Sequence, residues 1–69
     1  MKIKYFPDTD TALIEFSDQV VVETKEISED VYMDMDESGR LVSMTIEHAK
    51  TSARIKELSF LEVVETSVA

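Results

Sequence analysis

The chain has 69 residues, no cysteine, one histidine and a formal net charge of −8. This composition excludes disulfides, thiolate metal sites and a multi-histidine metal site within one chain. The charge argues against general nucleic-acid binding.

One Gly, one Pro and 43% hydrophobic residues predict a packed chain rather than a disordered one. A chain this short forms a single domain, residues 1–69. Its core is marginal, because a domain of about 60 residues buries only about 60% of the surface its unfolded form exposes. With disulfides and cysteine- or histidine-based metal sites excluded, self-association is the expected support, so a homo-oligomer, a dimer, is expected. The segment Met1-Lys2-Ile3-Lys4-Tyr5 has no apolar run after its lysines. Neither a signal peptide nor a membrane span is expected, and the cytoplasm is the expected location. Residues 1–48 carry 12 acids against 4 bases, a net of −8, whereas residues 49–69 carry 3 of each.

Alternation of period two runs through residues 1–48 and predicts a sheet. The first strand is Lys2 to Phe6 and the second is Thr11 to Phe16, joined by the turn formers Pro7-Asp8-Thr9-Asp10. If Phe6 pairs with Thr11, then Tyr5 opposes Ala12 and Ile3 opposes Ile14. All four lie on one face, while Lys2 opposes Glu15 on the other. A slip of one residue mixes apolar and charged side chains on both faces. The third strand covers Val20 to Ile27, with Ser28 to Asp30 as its turn. The fourth covers Val31 to Asp36, and the fifth Leu41 to His48.

Between the last two strands lies "DMDESGRL", Asp34 to Leu41. A two-residue turn at Ser38 and Gly39 sets Glu37 opposite Arg40, Met35 opposite Val42, Met33 opposite Met44 and Val31 opposite Ile46. Six apolar residues then share one face, with Asp34 and Asp36 on the other. A three-residue loop with Gly39 in a bulge scatters that apolar set. The same stretch also resembles the start of a calcium loop, with oxygen donors at Asp34, Asp36 and Ser38 and then Gly39. The twelfth position, however, is Thr45 where a bidentate Glu is required, and no helix flanks the loop. Met33, Met35 and Met44 on the apolar face need a cover, from the C-terminal segment or from a partner.

After residue 48 the pattern changes. Thr51 or Ser52 is a candidate cap for a helix from about Ser52 to Leu61. The stretch "FLEVVETSV" from Phe60 is rich in β-branched residues and has no helical stripe. Residues 49–69 are therefore read as helical or mixed. The fold class is α+β: an antiparallel sheet of four to five strands in meander-like hairpins, with a short C-terminal helix.

The candidate interaction surface is acidic: Asp34, Asp36, Glu37 and Glu47. No catalytic, cofactor or metal residue is assigned, and no cofactor is expected. His48 with Ser43 or Ser52 lacks the strained turn, oxyanion hole and buried acid that a triad needs. The expected function is a non-enzymatic protein-interaction module whose acidic surface suits a basic protein partner. The alternatives are a carboxylate-based metal binder or enzyme using Asp8, Asp10, Asp34 and Asp36, and a structural self-association domain.

Three stretches in order carry a resemblance. They are "YFPDTDTALIEFSD" (with Tyr5, Asp10 and Ile14), "VVETKEI" (Val21 to Ile27) and "DMDESGRLVSMTIEHA" (with Asp34, Asp36, Gly39, Arg40, Val42, Ile46 and Ala49). Over residues 5–49 the chain resembles the short prokaryotic proteins grouped as domain of unknown function 2283. It departs from that pattern at Ser38, Ser43, Thr45 and His48, where the family has Asp, Gly, Glu and Asp. The family carries no assigned activity, so the resemblance transfers no functional residue. Some of its members sit beside small toxin-like ribonucleases, which implies an antitoxin role.

Overall fold

Three hairpins, two of them sharing a strand, supply the sheet, and a fourth pairing joins them. In the computed structural model, which describes residues 1–64, the strands are β1 (Lys2–Phe6), β2 (Thr11–Glu15), β3 (Glu23–Ser28), β4 (Val31–Met35) and β5 (Leu41–Glu47). One helical turn, α1 (Ala49–Ser52), follows. All pairings are antiparallel and the strand order is β1-β2-β5-β4-β3. The sheet is thus not a simple meander: β5 sits at the centre, and residues 16–22 cross from β2 to the far edge at β3.

The β1–β2 register places Phe6 opposite Thr11, Tyr5 opposite Ala12 and Ile3 opposite Ile14, as the alternation predicts. Ile14 then opposes Met44 and Ala12 opposes Ile46 on β5. Across β5, Met44 opposes Met33 and Ile46 opposes Val31. The apolar face therefore runs across four strands. The other face carries Lys2 and Lys4, Leu13 and Glu15, Ser43 and Thr45, and Tyr32 and Asp34. On it, Lys4 Nζ reaches Glu15 Oε1 at 3.0 Å.

The β4–β5 connection corrects the two-residue turn at Ser38 and Gly39. The loop has three residues, Glu37 to Gly39. The Asp36 N–H donates to the Arg40 carbonyl at 2.9 Å, and the Gly39 N–H donates to the Asp36 carbonyl at 3.0 Å. Gly39 takes φ +80°, the left-handed conformation that ends a three-residue hairpin loop. Such a loop shifts the register by one. A bulge restores it: Asp34 opposes Ser43 but Met35 opposes Leu41, so Val42 is the extra residue. The Val42 carbonyl accepts the N–H groups of Phe16 at 2.8 Å and Ser17 at 3.2 Å. Two irregularities of one residue each cancel, and the methionines stay on one face. Arg40 faces Asp36, not Glu37.

β3 is shorter than predicted at its start, because Val20 to Val22 belong to the crossing segment. A second bulge, at Ile27, lies between the pairs Glu26–Tyr32 and Ser28–Val31. On this edge strand Glu23 and Lys25 oppose Met35 and Met33. Charges on the apolar face and a bulge both discourage pairing with another strand.

The predicted helix from Ser52 to Leu61 is replaced by α1, which starts earlier and spans four residues. His48 precedes it at φ 52° with no side-chain cap. The Ser52 hydroxyl bonds back to the carbonyls of Glu47 and His48, and Thr51 Oγ1 donates to His48. Such back-bonding competes with helix propagation, and Arg54 at φ 43° ends it. Residues 58–64 form no helix or strand. The "FLEVVETSV" reading lies partly beyond the described residues.

The core is small. Ala12, Ile46 and Ala49 form its buried cluster, with Tyr5, Ile14, Met44 and Ile55 packed against it. Met35 and Val42 are buried towards the other end of the sheet. The radius of gyration is 14.7 Å, against about 11 Å for a compact chain of this length. The longest axis is 50 Å, although five strands of this length span only roughly 20–25 Å in either direction. Residues 58–64 lie exposed outside the sheet.

Candidate functional site

The sheet has two ends. At the upper end lie the Glu37–Gly39 loop, the crossing segment 16–22 and the start of β3. At the lower end lie the β1–β2 turn, the β3–β4 turn and α1. The four candidate acidic residues divide between them.

Asp34 lies on the polar face and is held from both sides. Thr24 Oγ1 donates to its Oδ1 at 2.6 Å, and Ser43 Oγ donates to its Oδ2 at 2.7 Å. Ser43 is buried, at 8% exposure, so Asp34 satisfies a hydroxyl that has little water to turn to. Asp36 is engaged in the loop, where its Oδ1 accepts the N–H groups of Ser38 and Arg40, both at 2.9 Å. Glu37 is exposed at the upper end. Glu47 is exposed at the lower end, four residues along β5 from the partner of Asp34, a separation of roughly 13 Å. These acids do not form one patch. Asp8 and Asp10 lie at the lower end, far from Asp34 and Asp36. Among the described residues no group of three or more His, Asp or Glu side chains is arranged to hold a metal ion.

A polar cluster at the lower end went unrecognised in the sequence. Tyr5 donates its hydroxyl to Asp10 Oδ1 at 2.6 Å, and the Lys50 N–H reaches the same oxygen at 3.2 Å. The Asp10 carbonyl accepts from the Ala49 N–H at 2.9 Å. Asp10, at φ 56°, therefore clamps the start of α1 onto the β1–β2 turn. The hydrogen bond to Asp10, with desolvation and the carboxylate charge, pushes the Tyr5 hydroxyl up to about 12. The Tyr5 hydroxyl and then the Lys50 N–H hold Asp10 below its ordinary range, against desolvation. His48 Nδ1 lies 2.9 Å from Asp30 Oδ1. That hydrogen bond, and then the Asp30 charge, raise the imidazole pKa. Tyr32 is raised mainly by the charge of Glu47. A phenol near 12 and a carboxylate already holding two donors are poorly matched to proton transfer near neutrality. The cluster fastens the C-terminal segment to the sheet. Tyr5, Asp10 and Ala49 all lie in the stretches that carry the family resemblance, and that was the available signal.

The larger feature is apolar. Leu58, Phe60, Leu61, Val63 and Val64 are 66–84% exposed. At the upper end Val20 and Val22 are exposed too, and they line a cleft of ≈ 340 Å³ with Gln19, Asp36, Glu37 and Ser38. The exposed apolar side chains of residues 58–64 follow one another along the chain, outside the sheet.

A five-stranded antiparallel sheet with one apolar face, a clamped helical turn and an apolar arm defines a small α+β domain. The family of proteins of unknown function DUF2283 matches residues 2–50, and this chain belongs to that family. The match takes in all five strands and ends inside α1, so the arm lies beyond it. Comparison with curated proteins and with solved structures gave no match.

Proposed function

We propose that this chain is a protein-interaction module without chemistry of its own, and that its contact surface is the C-terminal arm with the adjoining apolar face. One observation carries the reading: the arm displays five large apolar side chains, while the whole sheet buries only a handful. Burial is worth roughly 1.5–3 kcal/mol for each such side chain, so a covering protein gains most of its affinity there. The formal charge of −8 favours a basic protein as the heterologous partner, in keeping with the antitoxin role the family resemblance implies. Of the four acids, exposed Glu37 and Glu47 serve electrostatic attraction rather than a single docking patch, while Asp34 and Asp36 are held by hydrogen bonds within the sheet and loop.

Calorimetric titration of the chain with a basic protein that co-purifies with it from its host tests this reading. Binding is expected, and Phe60→Ser with Leu61→Ser abolishes it. Equal binding by that variant places the interaction elsewhere and contradicts the proposal.

A further inference from the structure

We infer that the arm is held by a second copy of this chain: the segment from Leu58 to Val64 of each protomer seats in the upper cleft of the other, against Val20 and Val22, with Arg54 and Lys56 at its acidic rim. This rests on the protein-interaction reading and names the occupant.

The bases of the C-terminal segment are complementary to the acids of the cleft and reach them only between copies, although Arg40 opposite Asp36 and Lys2 beside Asp18 already lie at the upper end. Lys50, Arg54 and Lys56 are the only bases after residue 48, and they gather around Ile55 at the lower end. Ile55 packs against the Ala12–Ile46–Ala49 cluster, which fixes this segment there. Asp36 and Glu37 rim the cleft at the upper end, with Asp18 in the adjacent crossing segment. The two ends of β5 are six residues apart, roughly 20 Å. A lysine or arginine side chain anchored beside Ile55 therefore does not reach the cleft of its own sheet. A two-fold pairing that sets the lower end of one copy on the upper end of the other brings base to acid twice, because such an interface is self-complementary. Arg54 gives up little in moving, since its 3.4 Å pair with Glu57 is between exposed side chains. The edge strands are poor alternatives. β3 carries a bulge, with Glu23 and Lys25 on its apolar face, and β1 carries Lys2 and Lys4.

Charge reversal tests this arrangement. One variant is Arg54→Glu with Lys56→Glu, and the other is Asp18→Lys with Glu37→Lys. All four side chains are exposed, and circular dichroism checks that each variant folds. Sedimentation is expected to show a wild-type dimer, with dimerisation weakened roughly tenfold or more in each variant. An equimolar mixture of the two is expected to regain wild-type affinity, because each reversed arm then meets a reversed rim. A wild-type monomer up to about 100 μM, a range where even weak interfaces associate, overturns the inference. So does a dimer indifferent to both reversals, or a mixture that fails to recover. A monomer that still binds its basic partner through Phe60 overturns the second copy and leaves the protein-interaction reading standing. A monomer that binds neither overturns both.

Discussion

Asp34 shows how a side chain can look like a functional acid and act as a structural one. Alternation placed it on the polar face, and it is there. Its partners were not legible, because Thr24 and Ser43 come from two other strands, 10 and 9 residues away. Asp34→Ala leaves Ser43 buried without an acceptor, and unfolding in denaturant is expected to show a loss of about 1–3 kcal/mol. The same limit hid Asp10 and His48, whose contacts need the β1–β2 turn, the β3–β4 turn and α1 at one end of the sheet. Their titration gives signed expectations. His48 has a raised pKa in the folded state, so its contribution to stability is complete below the ordinary histidine value. It is lost as pH rises through the higher folded value. NMR titration of the imidazole is expected to show that elevation, and Asp30→Asn to remove it. Tyr5 is raised to about 12, so its contribution persists up to the ordinary tyrosine value near 10 and fades above it. Asp10 is lowered, so its contribution holds above the ordinary Asp value and disappears as pH falls through the lower one. Ultraviolet titration of Asp10→Asn is expected to return Tyr5 towards 10; an unchanged midpoint contradicts the clamp.

Among the elements, β1, β2, β4 and β5 were readable because one face of each differs from the other, whereas β3, exposed along its whole length, offered no such difference and was placed too early at its start. The β1–β2 register was readable for the same reason, since a slip there mixes charges into the apolar face. The β4–β5 hairpin shows where that logic stops. Patterning fixes which residues share a face, and a three-residue loop plus one bulge leaves the faces as a two-residue loop does. The pairs Met33–Met44 and Val31–Ile46 were therefore legible, and the Glu37–Gly39 loop and the Val42 bulge were not. Gly39 at φ +80° carries the loop. A Cβ there meets nothing within 4 Å, so Gly39→Ala is a test of backbone strain alone. Denaturant unfolding is expected to show a loss of about 1–2 kcal/mol, and Gly39→Asn a smaller one. Equal stability of the Ala variant contradicts the three-residue loop. Strand order was hidden because alternation says nothing about which strands are neighbours. The C-terminal helix is shorter and earlier than the pattern predicts because Thr51 and Ser52, candidate caps in the sequence, turn their hydroxyls back onto preceding carbonyls.

At the scale of the whole molecule, a marginal core was expected from length alone, and the buried cluster of Ala12, Ile46 and Ala49 is correspondingly slight. What length did not indicate is where the uncovered apolar surface lies. Ile55 packs on the apolar face at its lower end, and the larger exposure among the described residues is on the arm beyond α1. The central claim is that another protein covers this arm. The chain has no cysteine, so Ser59→Cys provides a single attachment point between Leu58 and Phe60. A spin label placed there, read by paramagnetic resonance across a dilution series, tests the claim most directly. The account predicts an immobilised, solvent-shielded label at high concentration that becomes mobile on dilution. A label that stays mobile and accessible at every concentration, and also with the co-purifying basic protein present, would contradict it.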